Sequence, residues 1–414
     1  MPTFTTYGAL IGLALAIVLI LRKIPPAYSL ILGALVGGLI GGGGLAGTLE
    51  AMSGGAESMI SAILRILTSG VLAGALIQTG AAEKLAQTIV RGLGTRFALA
   101  AVAAASMLIC AVGVFADIAV ITVAPVALSV AKAAGHSRSG VLLAMIGGVK
   151  AGNILSPNPN TIAVAGSFGV DLTSLMLRNF IPAVCALAAT ILLSALLSKR
   201  GEAVTDAADS DRALPNLAAA VSGPAVVILL LALRPICGVD IDPLIALPAG
   251  GIVCTVATGN WRKLPEYAVF GLEKVVGVSV LLLGTGTLAG IIKASALQAD
   301  VTALLELLHL PALLLAPLSG VLMSAATAST TAGSTIAAQT FAAPLLEAGI
   351  APLSAGAMIH AGATVLDSLP HGSFFHATGG SVGMSMKERL KLLPWEAAIG
   401  GVSAAAATVV SLVL

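Results

Sequence analysis

Polar and ionisable side chains crowd into four short stretches of an otherwise apolar chain. The first is Gly113-Val114-Phe115-Ala116-Asp117, and the second runs Lys150-Ala151-Gly152-Asn153-Ile154-Leu155-Ser156-Pro157-Asn158-Pro159-Asn160-Thr161. The third is Thr327-Ala328-Ser329-Thr330-Thr331-Ala332-Gly333-Ser334-Thr335, and the fourth is Asp367-Ser368-Leu369-Pro370-His371-Gly372-Ser373. Asn153, Ser156, Asn158, Asn160, Thr161, Ser329, Thr330, Thr331, Ser334, Ser368 and Ser373 offer neutral donors and acceptors. Such groups suit a small hydroxylated or carboxylated solute held by several modest hydrogen bonds. A single Ser or Thr more commonly bonds between packed helices; the clustering is what points to a site.

Seven ionisable residues expected inside the membrane, Arg65, Asp117, Lys150, His360, Asp367, His371 and His376, add charge to the expectation. Asp117, an acid among apolar neighbours, is expected to carry a coupling proton or ligate Na⁺, and Lys150 to attract an anion. The competing readings are a structural ion pair of Asp117 with Lys150 or Arg65, and a Lys150 that snorkels to an interface. Asp367 and His371 flank the fourth stretch and could pair with each other. His376 reads as packing, Arg65 as snorkelling from early in its helix, and His136 and His309 as loop residues.

Catalysis has no comparable support. The chain carries no HExxH, GxSxG or Walker sequence, and His371 and His376 are not spaced to share a helical face. Cys110, Cys185, Cys237 and Cys254 lie in apolar stretches without CxxC spacing. No catalytic residue, metal centre or resident cofactor is expected, and the energy for any uphill movement must come from a gradient, of H⁺ or Na⁺.

The elements that position these stretches follow from composition. Of 414 residues, 57% are apolar and only 10% charged, with 47 glycines and a mean hydropathy of +1.04. A soluble domain carries about 25% charge, so the expected class is an all-α polytopic membrane protein whose Gly and Ala allow close helix packing in lipid. A net charge of +2 with dispersed basic residues gives no reason to expect nucleic acid. Full-length spans are expected near 5–21, 27–44, 58–79, 179–198, 216–234, 243–258, 275–292 and 394–412. Phe4–Leu21 precedes Arg22-Lys23, the reverse of a secretory signal, and is expected to stay in the mature chain.

Regions 97–131, 140–170, 311–347 and 356–383 are apolar but interrupted. Basic residues gather in clusters: Arg22/Lys23, Lys84/Arg91/Arg96, Lys132/Arg138, Lys199/Arg200/Arg212, Arg262/Lys263/Lys274 and Lys387/Arg389/Lys391. The opposite loops hold Arg178, Arg234 and Lys293 beside Glu50, Glu57, Asp240, Asp242 and Asp300. If the clusters are all cytoplasmic, 97–131 and 311–347 must each return to the side they entered. That leaves about ten crossings plus two re-entrant hairpins; the alternative is twelve full spans with two tight turns.

A weak repeat with an offset of about 214 residues relates the halves. Met145-Ile146, Gly148, Pro157, Gly166-Ser167 and Gly169 recur in order as Met358-Ile359, Gly362, Pro370, Gly380-Ser381 and Gly383. An odd number of crossings between the two units makes them inverted repeats, the arrangement of many secondary transporters. The organisation expected is N-terminal scaffold helices 1–57, repeat 1 at 58–198, a cytoplasmic linker at 199–215, connecting helices at 216–274 and repeat 2 at 275–414.

At these residues the chain resembles the gluconate permease family of proton symporters. The matching pieces are Thr79-Gly80-Ala81-Ala82-Glu83-Lys84-Leu85-Ala86, Val114-Phe115-Ala116-Asp117-Ile118-Ala119-Val120, Ser156-Pro157-Asn158-Pro159, Ala163–Leu172 and Gly383–Lys391 leading to Trp395. The resemblance implies uptake of a sugar acid, hydroxy acid or other small carboxylate with a cation across the cytoplasmic membrane. It also implies a homodimer and an elevator-like movement. The family is typically richer in Pro and His where this chain has Asn158 and Asn160, and less Thr-rich at Ser329-Thr330-Thr331, so the resemblance does not single out gluconate as the substrate. The rival within the class is a cation/proton antiporter using Asp117 and Asp367, which leaves the many neutral hydroxyls and amides without a role. A passive channel and an intramembrane enzyme are the rivals outside it.

Overall fold

A computed structural model describes residues 4–205, 213–239, 241–297, 300 and 311–413. Arg212, Asp240 and His309, and part of the 199–215 linker, lie outside the described residues. The elements are helices, joined in two places by an isolated backbone bridge, Phe4 with Ser295 and Ser137 with Ala203. Five are long and apolar enough to cross a membrane singly: Ile60–Gln78, Ala116–Ala134, Phe180–Leu197, Trp261–Lys293 and Met386–Val413. Two further pairs qualify only together, Ala81–Leu93 with Thr95–Ala111 and Pro159–Phe168 with Leu172–Arg178, bent by 104° and 107°. Helices also stand at the other expected spans: Thr6–Leu21, Pro26–Ile40, Leu217–Cys237 and Pro243–Ala257.

Each interrupted region is broken where its sequence cannot continue a helix. The first hairpin joins Ala98–Ala111 to Ala116–Ala134 through Gly113, whose φ of 106° an L side chain rarely adopts. The second joins Leu315–Thr327 to Thr330–Glu347 through Ala328, left-handed at φ 48°, and Ser329. The first broken helix is Arg138–Asn153 followed by Pro159–Phe168. Pro159 occupies a first-turn position, where its missing N–H costs nothing. Asn158 caps that turn by accepting from Asn160 N and Thr161 N at 3.0 and 3.1 Å. The second broken helix is Pro352–Gly362 followed by Ser373–Ser381, with Pro370 in the gap.

Glycine lets each hairpin lie directly on its broken helix. Gly148 and Gly152 face the carbonyls of Ala103 and Met107, so a Cβ at either would collide with backbone. In the second half Gly362 meets the carbonyl of Pro317 and Gly320 that of Ile359. From Ile60 the order is long helix, the helix Ala81–Leu93, hairpin, broken helix, short helix Leu172–Arg178, then Phe180–Leu197. From Leu264 it is long helix, hairpin, broken helix, short helix Met386–Leu390, then Leu393–Val413. The helix Leu264–Lys293 packs against Pro26–Ile40, Gly44–Glu57 and Ile60–Gln78, making a wall that also meets the second hairpin helix Thr330–Glu347.

Loops expected on the same side touch one another. Lys199 Nζ donates to Gly135 O at 2.6 Å, Ser137 N to Ser198 O at 2.7 Å, and Arg138 to Val382 O. At the other end Phe4 N donates to Ala294 O at 3.2 Å and Arg178 to Ser354 Oγ at 2.8 Å. Two basic residues depart from their expected places in cytoplasmic clusters. Arg389 is fully buried, bonded to Glu396 and stacked on Phe375 with 4.7 Å to the ring centre. Lys274 lies well inside the 30-residue helix Leu264–Lys293.

Candidate functional site

All four breaks open on one cavity of about 660 Å³. The first hairpin brings Phe115, Ala116 and Asp117; the second brings Thr327 to Ala332; the broken helices bring Lys150, Asn153, Asn158 and Asn160 from one side and Asp367, Ser373 and Phe374 from the other. Pro25, Tyr28 and the Lys274–Leu281 segment of the long helix complete the lining.

A continuous hydrogen-bond network ties these breaks together. Asn153 Oδ1 accepts from Asn158 Nδ2 at 2.5 Å and from Asn160 Nδ2 at 2.9 Å. Asn160 Oδ1 in turn accepts from Thr331 of the second hairpin. Lys150 ion-pairs with Asp367 and also donates to the carbonyl of Thr364, freed where the second broken helix unwinds. Asp367 accepts besides from Thr330 at 2.6 Å and Ser368 at 2.9 Å. Lys150 and Asp367 are 3% and 4% exposed, a depth at which each charge needs the other. Lys150 spends two of its three donors in this way and still lines the cavity. Among the described residues the Asn153 Nδ2 group has no hydrogen-bond partner, which leaves its two donors for the cavity.

Of the residues singled out by sequence, Asp117, Lys150, Asn153, Asn158, Asn160, Ser329, Thr330, Thr331 and Asp367 line the cavity. Ser156, Thr161, Ser334, Ser368 and His371 do not. Thr161 and Ser334 turn back to backbone carbonyls, Ser156 O at 2.6 Å and Thr331 O at 3.3 Å, and Ser368 supports Asp367. Ser156 is fully buried, its hydroxyl without a partner among the described residues. His371 is exposed in the tight turn closed by Gly372 N to Leu369 O at 3.0 Å, so Asp367 pairs with Lys150 instead of with it. Arg65 does not snorkel free: its guanidinium grips Asp242 in a forked pair at 2.6 to 3.2 Å. That grip, chiefly by hydrogen bonding, holds the Asp242 carboxyl below its ordinary range. With Lys150 and Arg65 both engaged elsewhere, Asp117 has no ion-pair or hydrogen-bond partner among the described residues.

Tyr28, Lys274 and Phe374 are the lining residues that sequence reasoning missed. Lys274 lay too near Arg262 and Lys263 to stand out; Tyr28 and Phe374 lacked any polar cluster around them. Arg389 supports Phe374 from behind, since its guanidinium holds Phe375 and Thr378 of the same helix. Among the described residues no three His, Cys, Asp or Glu side chains converge as a transition-metal site would need.

The family model described as GntP family permease matches residues 4–414. The chain belongs to the GntP permease family. It is 51% identical over 403 residues to an uncharacterized transporter of Haemophilus influenzae, covering 97% of this chain and 96% of the relative. It is 23% identical over 358 residues to the D-serine transporter DsdX of Escherichia coli K12, covering 78% and 79%. A high-affinity gluconate transporter of the same strain is 27% identical over 164 residues, 39% of this chain and 36% of that one. In fold, the chain is similar to the Alcanivorax borkumensis YdaH transporter, with a TM-score of 0.71, 17% identity and coverage of 96% and 98%. This permease is a multi-pass membrane transport protein.

Proposed function

We propose that this permease is a secondary active transporter carrying a small organic anion, a hydroxy acid or sugar acid, across the cytoplasmic membrane together with H⁺ or Na⁺. The observation that carries the reading is the single cavity where both hairpin tips and both broken helices meet, with a buried cation at its wall. Unwound backbone and polar side chains persist at membrane depth only where protein or a water-filled cavity satisfies them. The recurring order of elements supports two inverted repeats, and two broken helices facing each other are how such repeats build a substrate site. D-serine and gluconate, named for two relatives, share a carboxylate with a nearby hydroxyl, the chemistry that Asn153, Asn160, Ser329 and Thr331 suit.

In this reading the amides and hydroxyls of the breaks hold the carboxylate and hydroxyls of the substrate, Lys150 lends its remaining donor, and Asp117 binds the coupling cation. The hairpins and broken helices travel as one body against the wall built on Leu264–Lys293, in an elevator-like exchange of access, and two copies form a homodimer. The ligand shifts the balance of states only through different affinities for them. The test is counterflow of a labelled hydroxy acid in liposomes holding the purified protein. Saturable counterflow is expected; flux that rises linearly with concentration would mark a passive pore and sink the reading. Asp117→Asn is expected to keep exchange while losing accumulation driven by a cation gradient.

A further inference from the structure

We infer that Lys274 is the cation that recognises the substrate's carboxylate, and that Asp117 admits the anion only after a proton or Na⁺ has neutralised it. This rests on the reading of the cavity as the transport site, and it fixes the substrate as a monoanion. Lys274 stands ten residues beyond Leu264 in a 30-residue helix. At 1.5 Å per residue that is about 15 Å along a helix of about 45 Å, roughly 7 Å short of its midpoint. Lys274 is exposed and faces the cavity, its ammonium 5.0 Å from the Phe270 ring centre. The ring holds the ammonium without neutralising it.

Charge counting gives the rest. The ionisable side chains lining the cavity are Asp117, Lys150, Lys274 and Asp367. Lys150 and Asp367 cancel as a buried pair. Asp117 and Lys274 remain, neither with an ion pair or hydrogen bond among the described residues. With Asp117 ionised the lining carries no net charge, so a carboxylate gains no net attraction from it. With Asp117 protonated or holding Na⁺ the lining carries one positive charge, and one monoanion restores neutrality. One cation therefore accompanies each anion. Dicarboxylates leave an excess negative charge and uncharged analogues an excess positive one, so both bind more weakly. Lys274 belongs to the wall and Lys150 to the broken helix, so the substrate is held from both sides.

The other ionisable groups on elements packed against the Asp117 helix are Cys110, Arg138 and Lys150, His376 on the second broken helix, Arg96 in the turn before the first hairpin, and Glu83, Lys84 and Arg91. Glu83 and Arg91 line a separate polar cleft at Pro125–Val130, away from the tip. The test uses the full-length protein in detergent, with thermal unfolding followed against D-gluconate, lactate, gluconamide and tartrate. Each probe is titrated with and without Na⁺ at two pH values. Ligand binding to the native state raises the unfolding temperature. The monocarboxylates should stabilise the wild type in a cation-dependent way, and gluconamide and tartrate should do so more weakly. Lys274→Gln should weaken monocarboxylate binding about tenfold or more, and Lys274→Arg should keep most of it. Asp117→Asn should bind monocarboxylates with an affinity that no longer depends on Na⁺ or pH. Wild-type affinity in Lys274→Gln, or surviving cation dependence in Asp117→Asn, would overturn the inference alone. A wild type stabilised by none of the carboxylates would overturn the transport-site reading itself, before any substitution is made.

Discussion

Lys150 and Asp367 neutralise one another where no solvent can do it, and Thr330, Ser368 and the Thr364 carbonyl complete their coordination. Removing one member leaves an uncompensated buried charge, so Lys150→Met or Asp367→Asn should each destabilise the protein by about 3–5 kcal/mol. The double substitution should recover part of that loss, which thermal unfolding of the four proteins would show; additive losses would contradict the pair. The Arg65–Asp242 pair is half-exposed and worth about 1 kcal/mol or less. Because pairing lowers the Asp242 pKa, its contribution is complete above the ordinary carboxylate range and is lost as pH falls through the lowered value. The small gap in unfolding temperature between wild type and Asp242→Asn should therefore close on acidification, and a gap that widens would refute it. Asp117 and Lys150 were visible in the sequence because an ionisable group stands out in an apolar run. The pairing of Lys150 was not, since Asp367 lies 217 residues from it and only the fold brings the halves together. Lys274 and Arg389 were hidden for another reason: counting basic residues near span ends cannot tell a charge in a loop from one turned into a cavity or core.

The hairpins and broken helices were legible because prolines and glycines punctuate them, and the structure breaks helices at the Gly113, Pro157–Pro159, Ala328 and Pro370 neighbourhoods. The helix Ala81–Leu93 is not among the expected spans, since its charges Glu83, Lys84 and Arg91 outweigh a buried face of Ala82, Leu85, Ala86 and Val90. Glu50 and Glu57, expected in outer loops, stand on the helix Gly44–Glu57, which packs on Leu264–Lys293. Packing of hairpin on broken helix depends on missing side chains. Gly152→Val drives two methyl groups into the Met107 carbonyl and should cost about 1–3 kcal/mol, read as a lower unfolding temperature with loss of counterflow. Unchanged stability would mean that the two helices are not locked at this contact. Ala328 presents the opposite case. A left-handed Ala costs about 1 kcal/mol relative to Gly, so Ala328→Gly should raise the unfolding temperature slightly if the second tip keeps its shape. A lower one would show that the Ala328 methyl, which packs near Gly372, matters more than the backbone.

At the scale of the whole molecule, two hairpins and two broken helices, each pair followed by a short and a longer helix, converge on one cavity, and the Leu264–Lys293 helix completes its lining. The membrane class was legible from charge and hydropathy alone, and the family from scattered motifs in a fixed order. Which side chains share the cavity was not, because the contacts that build it join residues such as Asn160 and Thr331 across 171 positions. The central claim is that a carboxylate occupies the space between those segments. A cryo-electron microscopy map of the protein saturated with a stabilising hydroxy acid tests it most directly. The account predicts ligand density in contact with Asn160, Thr331 and Lys274, with Lys150 and Asp117 bordering it. Density at any other place, with this cavity filled by water alone, would contradict it.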